Sequence, residues 1–171
     1  MSRVDVVVMM GSASDWKHIR PAVEVLERLG LAFRVHVTSA HRTPDRTIEL
    51  VRAAEAEGCR AFICAAGMAA HLAGVVAAHT LVPVLGVPLP GGVLDGVDAL
   101  LSTVQMPGGI PVATFAVGSA GARNAAFFAG HLVAADRGEV ARALREIRES
   151  SAENVLAADN EIRTDWERSG D

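Results

Sequence analysis

Three short segments hold the residues whose types and spacing could do chemistry: "GSASD" (11–15), "SAHRTP" (39–44) and "GMAAHL" (67–72). In the first, Gly11 lets the backbone approach a ligand closely. Ser12 and Ser14 offer hydroxyls beside free N–H groups at a helix start, where the dipole favours an anion. That combination describes a phosphate seat. Asp15 would repel phosphate, but a carboxylate there suits the two hydroxyls of a ribose. In the second segment, Arg42 supplies the charge and the bidentate geometry that a phosphate needs. His41 beside it is the candidate acid–base, because imidazole ionises nearer neutrality than other unperturbed side chains. The third segment brings a second imidazole, His71. Around it Ala65, Ala66, Gly67, Ala69 and Ala70 are small enough to leave room for a flat ligand. Ser39, Ala40 and Met68 complete the candidate binding surface.

Plainer readings stand beside these. Taken alone, "GSASD" reads better as a helix cap, because it is short and is neither a P-loop nor a GxGxxG motif. Thr43 as N-cap and Pro44 at the first helical position explain that helix start. They leave His41 and Arg42 unexplained. Two imidazoles with two serines and no acidic cluster do not resemble a metal site. No GxSxG elbow is present, which sets hydrolase chemistry aside.

Each segment follows a strand-like run and opens a helical pattern. "VDVVVMM" (4–10) is a nearly continuous apolar run, the mark of a parallel strand buried on both faces. A helix follows with Trp16, Ile19, Val23 and Leu26 at three-to-four spacing. Pro21 is expected to kink or restart it, and Gly30 to end it. Further strands are expected at 32–39, 61–66, 82–88 and 110–117. Helices are expected at 44–57, 69–79, 95–105 and 121–135. Regular alternation implies a parallel sheet with helices on both faces, a three-layer α/β/α sandwich. Five strands with a short first loop suggest the flavodoxin-like order 2-1-3-4-5. Ligands of such sheets bind outside the carboxyl ends of the strands, near the switch in strand order. The three segments would converge there. The stretch 139–168 is helical and charged, yet Val155, Leu156, Ile162 and Trp166 form an apolar stripe with no strand to follow. The expectation is one catalytic domain over 1–171, with 139–168 an extension that packs on a neighbouring subunit.

Composition narrows the class. At 171 residues, one domain is the natural organisation. Net charge is −4, which argues against a nucleic-acid partner. Mean hydropathy is +0.29, high for a monomer of this size. Either a membrane segment or subunit contacts must cover apolar surface. The most apolar region is interrupted by His71, His79, Pro83, Pro88 and Pro90, whereas a spanning helix needs about 20 apolar residues. The N-terminal apolar stretch is too short for a signal peptide. The sequence therefore reads as cytoplasmic, with no membrane partner. Cys59 and Cys64 form no disulfide framework and are too few for a cysteine zinc site.

In order along the chain, "MGSASDW", "SAHRTPD", "GMAAHLAG", "PVLGVP", "STVQMPGGIPVATFAVG" and "GARNAAFFA" resemble the 5-(carboxyamino)imidazole ribonucleotide mutase family of purine biosynthesis. That family is also described as the catalytic subunit of phosphoribosylaminoimidazole carboxylase. The resemblance implies the same three-layer fold, a homo-octamer, and no metal, nucleotide or organic cofactor. It implies a small ribonucleotide substrate whose carbamate carboxyl moves to the adjacent ring carbon. Ser12, Ser14 and Arg42 would hold the phosphate and Asp15 the ribose. His41 would move the proton, with Ser39 and His71 orienting the substrate. A second branch of the family carboxylates the free aminoimidazole ribonucleotide directly; "SAHRTP", with its arginine, resembles the mutase branch. A non-catalytic nucleotide-binding protein would share the phosphate seat but has no need for His41. One departure concerns the third loop, usually similar to "AGAGGAAHLPG" and here "CAAGMAAHLAG". Met68 and Ala65 stand where glycines are usual. Met does not take positive φ as Gly does, so either the loop has an ordinary backbone or its grip on substrate differs.

Overall fold

The computed structural model describes residues 3–169. Residues 1–2 and 170–171, part of the domain expected over 1–171, lie outside the described residues. Five strands, β1 (Val6–Met10), β2 (Phe33–Val37), β3 (Ala61–Gly67), β4 (Val84–Leu89) and β5 (Ala113–Thr114), form one parallel sheet of order β2-β1-β3-β4-β5. Among the described residues there are six α-helices: α1 (Trp16–Arg28), α2 (Pro44–Ala56), α3 (Leu72–Ala77), α4 (Val97–Val104) and α5 (Ser119–Ala134), each after a strand, and α6 (Gly138–Ser169), directly after α5. This is the expected fold.

Alternation along β1 divides the core. Val6, Val8 and Met10 pack with α1, α5 and the start of α6, while Val7 and Met9 pack with α2 and α3. Register sets the site. Met10 lies level with Val37 on one side and Ala65 on the other. The residues after Met10 and Val37 therefore leave the sheet at one level, and β3 runs two residues further, to Gly67, against β4.

Some local expectations need correcting. Pro21 does not restart α1, which is a single helix from Trp16 to Arg28. A proline inside a helix costs about 3 kcal/mol or more. Full burial of Ile19 and Leu26 contributes about 1.5–3 kcal/mol each, so tertiary packing outweighs the proline. Trp16, placed in the apolar stripe, is exposed instead. The fifth strand shrinks from 110–117 to Ala113–Thr114. Pro111 has no amide to give, which suits only an edge. Past Thr114 the chain still tracks β4, through the Phe115 amide to the Gly86 carbonyl (2.9 Å) and the Gly118 amide to the Pro88 carbonyl (2.9 Å). β3 extends to Gly67, and α3 starts at Leu72 rather than 69.

Opposite the site, buried Asp5 ties three elements at the base of the sheet. It accepts from the Ala32 amide (3.0 Å), from Arg137 (2.7 Å) and from Arg3 (2.9 Å). Burial alone would push its carboxyl up. The Ala32 amide, Arg137 and Arg3 outweigh burial and hold it below the usual carboxylate range.

α6 buries Val140 and Leu144 and then leaves the domain. Val155, Leu156, Ile162 and Trp166 are 65–78% exposed on this chain. Among the described residues, no helix is long and apolar enough to cross a membrane.

Candidate active site

Above the carboxyl ends of β1–β4 lies a cleft of about 740 Å³. Every candidate residue read from the sequence lines it, from Gly11, Ser12, Ser14 and Asp15 through Ser39, Ala40, His41 and Arg42 to Gly67, Met68, Ala69 and His71. It sits at the switch point between β1 and β3, where crossovers diverge and the sheet opens to a ligand.

The first loop is a capping box on a single 3-10 turn (Ala13–Asp15). The Ser12 hydroxyl accepts from the Ser14 amide (3.3 Å), and the Asp15 carboxylate accepts from the Ser12 amide (2.9 Å). The Asp15 amide donates to the Ser12 carbonyl (3.1 Å). The capping reading thus holds for Ser12 and Asp15, which close the box. The amides of Ser12, Ser14 and Asp15 are occupied internally, which leaves hydroxyls rather than those amides to meet an anion. The Ser14 hydroxyl donates to Ser12 Oγ (2.9 Å), placing both on one rim.

The second loop is braced by threonines. Thr43 is the N-cap of α2 and Pro44 follows it, as expected, but the Thr43 side chain makes no cap bond. Its hydroxyl instead accepts from the Ser39 amide (2.9 Å) and donates to the Ser39 carbonyl (3.2 Å). Thr38 and Thr47 pair beneath it at 2.7 Å. This brace presents His41 and Arg42 outward. The Arg42 guanidinium donates to the Gly11 carbonyl at 3.4 Å, so the cation reaches the first loop.

The two imidazoles meet. His41 Nε2 lies 2.8 Å from His71 Nδ1, with the rings edge to face. A hydrogen bond at this distance needs one nitrogen to donate and the other to accept, the tautomers deciding which. In this arrangement His71 can orient the His41 ring.

The third loop answers the question raised by its departure from the family pattern. Met68 takes φ 53°, the left-handed conformation. That costs a residue with a Cβ roughly 1–2 kcal/mol. The loop keeps the backbone a glycine would give and carries a long side chain on it.

A fourth wall escaped the sequence reading. Leu89, which ends β4, and Pro90, Gly91 and Gly92 after it also line the cleft. Their signal was position alone, since "LPGG" carries no ionisable group. Cys64 lies below the site in β3; burial pushes its thiol far up, as fits a core residue rather than a nucleophile. Among the described residues, no three His, Cys, Asp or Glu side chains are grouped to hold a metal ion.

An open parallel sheet gathers paired imidazoles, a guanidinium and two serine hydroxyls at its switch point; this is the class of α/β protein whose cleft has the groups to hold a small anionic ligand and move a proton on it. Comparison with known proteins makes the class particular. The chain belongs to the AIR carboxylase family, whose model matches residues 5–154. It is 49% identical over 152 residues to the N5-carboxyaminoimidazole ribonucleotide mutase of Brucella melitensis, covering 89% of this chain and 94% of that protein. The Escherichia coli K12 mutase is 48% identical over 151 residues, 88% of this chain and 89% of its own length. The crystal structure of Treponema denticola PurE superposes with a TM-score of 0.84 at 26% identity, over 93% of this chain and 98% of that one.

Proposed function

We propose that this protein moves the carboxyl group of 5-(carboxyamino)imidazole ribonucleotide from nitrogen to the adjacent ring carbon, a step of purine biosynthesis. The observation that carries this reading is the His41–His71 pair at 2.8 Å, set in one cleft with Arg42, Ser12 and Ser14. Arg42 and the serine hydroxyls hold the phosphate, and the free oxygen of Asp15 meets the ribose. The imidazole ring of the ligand then lies over the small residues Ala40, Gly67 and Ala69, facing His41.

The chemistry balances with one proton carrier. The carbamate nitrogen–carbon bond breaks, its electron pair stays on nitrogen, and protonated His41 supplies the proton. Carbon dioxide and an electron-rich enamine remain. The ring carbon attacks carbon dioxide, and its own proton passes to the now neutral His41. His41 ends as it began. Holding both fragments in one cleft makes recapture effectively intramolecular. The relatives' names also favour this carboxyl shift over direct carboxylation of the free amine.

We read the assembly as a cytoplasmic homo-octamer. The mean hydropathy of +0.29 and the outward stripe of α6 support subunit contacts. Leu81 and Val93, almost fully exposed on this chain, add to that support. The number eight rests on the family resemblance.

The test is a pair of variants. General acid–base catalysis contributes about 10²–10⁴-fold. His41→Asn is expected to lose at least that in turnover while still binding substrate, and His71→Asn to weaken affinity or orientation more. Near-normal turnover in His41→Asn with none in His71→Asn would reverse the two roles.

A further inference from the structure

Met68 is costly where it stands and gains little core burial in return. Its backbone is left-handed at φ 53°, and 61% of the residue is exposed. Strain of this kind persists where surrounding contacts over-determine it, and it clusters at ligand clamps. The contact here is Gly92, on the opposite loop. A Cβ placed on Gly92 would stand only 3.1 Å from Met68 Cγ and 3.8 Å from its sulfur. The methionine therefore occupies the volume that a side chain at 92 would claim. Gly92 is itself left-handed at φ 69°. Both residues line the cleft, so the Met68 side chain reaches from the loop after β3 to the loop after β4.

We propose that Met68 is a positioning residue that closes this side of the cleft over the one-carbon fragment. The proposal rests on the carboxyl-shift reading above. Carbon dioxide carries no charge and offers no hydrogen to donate, so polar groups grip it poorly and walls must retain it. Between cleavage of the carbamate bond and attack by the ring carbon, recapture competes with escape. The bare backbone of Gly91–Gly92 leaves a gap on that side. A flexible, polarizable thioether is the side chain best able to fill an irregular gap and exclude water from it. Phosphate and ribose contacts lie on the other loops, so Met68 acts on retention rather than on grip.

The experiment gives full-length enzyme the carbamate substrate and counts two products. These are carboxylated ribonucleotide and free aminoimidazole ribonucleotide, the latter corrected for spontaneous decarboxylation. In parallel, ¹³C-bicarbonate in the medium reports exchange of the carboxyl with bulk. Met68→Gly suits the left-handed backbone and should fold. Its release of free amine per product is expected to rise about tenfold, the low end for removing methylene-scale contact from a closed pocket. Label uptake should rise with it. Met68→Leu, which restores an apolar side chain of similar size, should bring release back down. Release and label uptake in Met68→Gly equal to wild type would overturn the proposal, as would a Met68→Leu that leaks as Met68→Gly does. If wild type itself made no carboxylated product from the carbamate, the functional reading would fall and take this one with it.

Discussion

Arg42 illustrates what a single side chain can be asked to do. Its guanidinium donates to the carbonyl of Gly11, next to Ser12. In the proposed reading a phosphate bound there takes no part in the bond changes, so the contact is shared by ground state and transition state. Removing such uniform binding raises KM and leaves kcat. Hydrogen bonds to charged groups contribute about 1.5–3 kcal/mol. Arg42→Ala is therefore expected to raise KM roughly 10–100-fold, with kcat changing far less, in steady-state assays. An unchanged KM would remove Arg42 from the phosphate site. His41 and Arg42 were legible because no turn or cap needs those residue types. Thr43 was legible only in part: its position as N-cap follows from Pro44, but its hydroxyl serves Ser39 for reasons set by the fold of the loop.

Elements show where tertiary structure overrides local rules. The strands that carry the three chemical loops could be read from apolar runs, and their order was suggested by five strands with a short first loop. The continuity of α1 through Pro21 could not, because it depends on what Ile19 and Leu26 bury against. The fourth wall at Leu89–Gly92 was likewise silent, since glycine and proline advertise a turn and not a ligand. The Asp5 cluster offers a test at this scale. Its carboxylate joins the starts of β1 and β2 to the turn before α6. Asp5→Asn is expected to destabilise the fold by about 1.5–3 kcal/mol in denaturant melts. The sign of the pH effect follows from the depressed carboxyl. Its contribution is fully present above the unfolded value of about 3.9 and is lost as pH falls through the lower folded value. The stability gap between wild type and Asp5→Asn should therefore close in acid. A gap that stays constant down to strongly acidic pH would show that Asp5 is not held by its partners.

The whole molecule leaves its last helix uncovered. α6 carries Val155, Leu156, Ile162 and Trp166 away from the core that its first turns complete. If α6 packs on a second copy of the chain, removing residues 149–171 is expected to lower the number of chains per particle by light scattering and to lower the Tm. An unchanged number of chains and an unchanged Tm would make the tail an ordinary surface helix. The cleft is the other property of the whole, because four loops from four strands must meet to make it. Its central claim is that one imidazole pair moves a carboxyl group already on the substrate. The direct measurement is an ultraviolet assay of carboxylated product from two starting mixtures: the carbamate substrate without bicarbonate, and the free aminoimidazole ribonucleotide with bicarbonate. The account predicts rapid product formation from the carbamate, independent of bicarbonate, and slow formation from the free amine. Product made from the free amine with bicarbonate, and none from the carbamate, would contradict it.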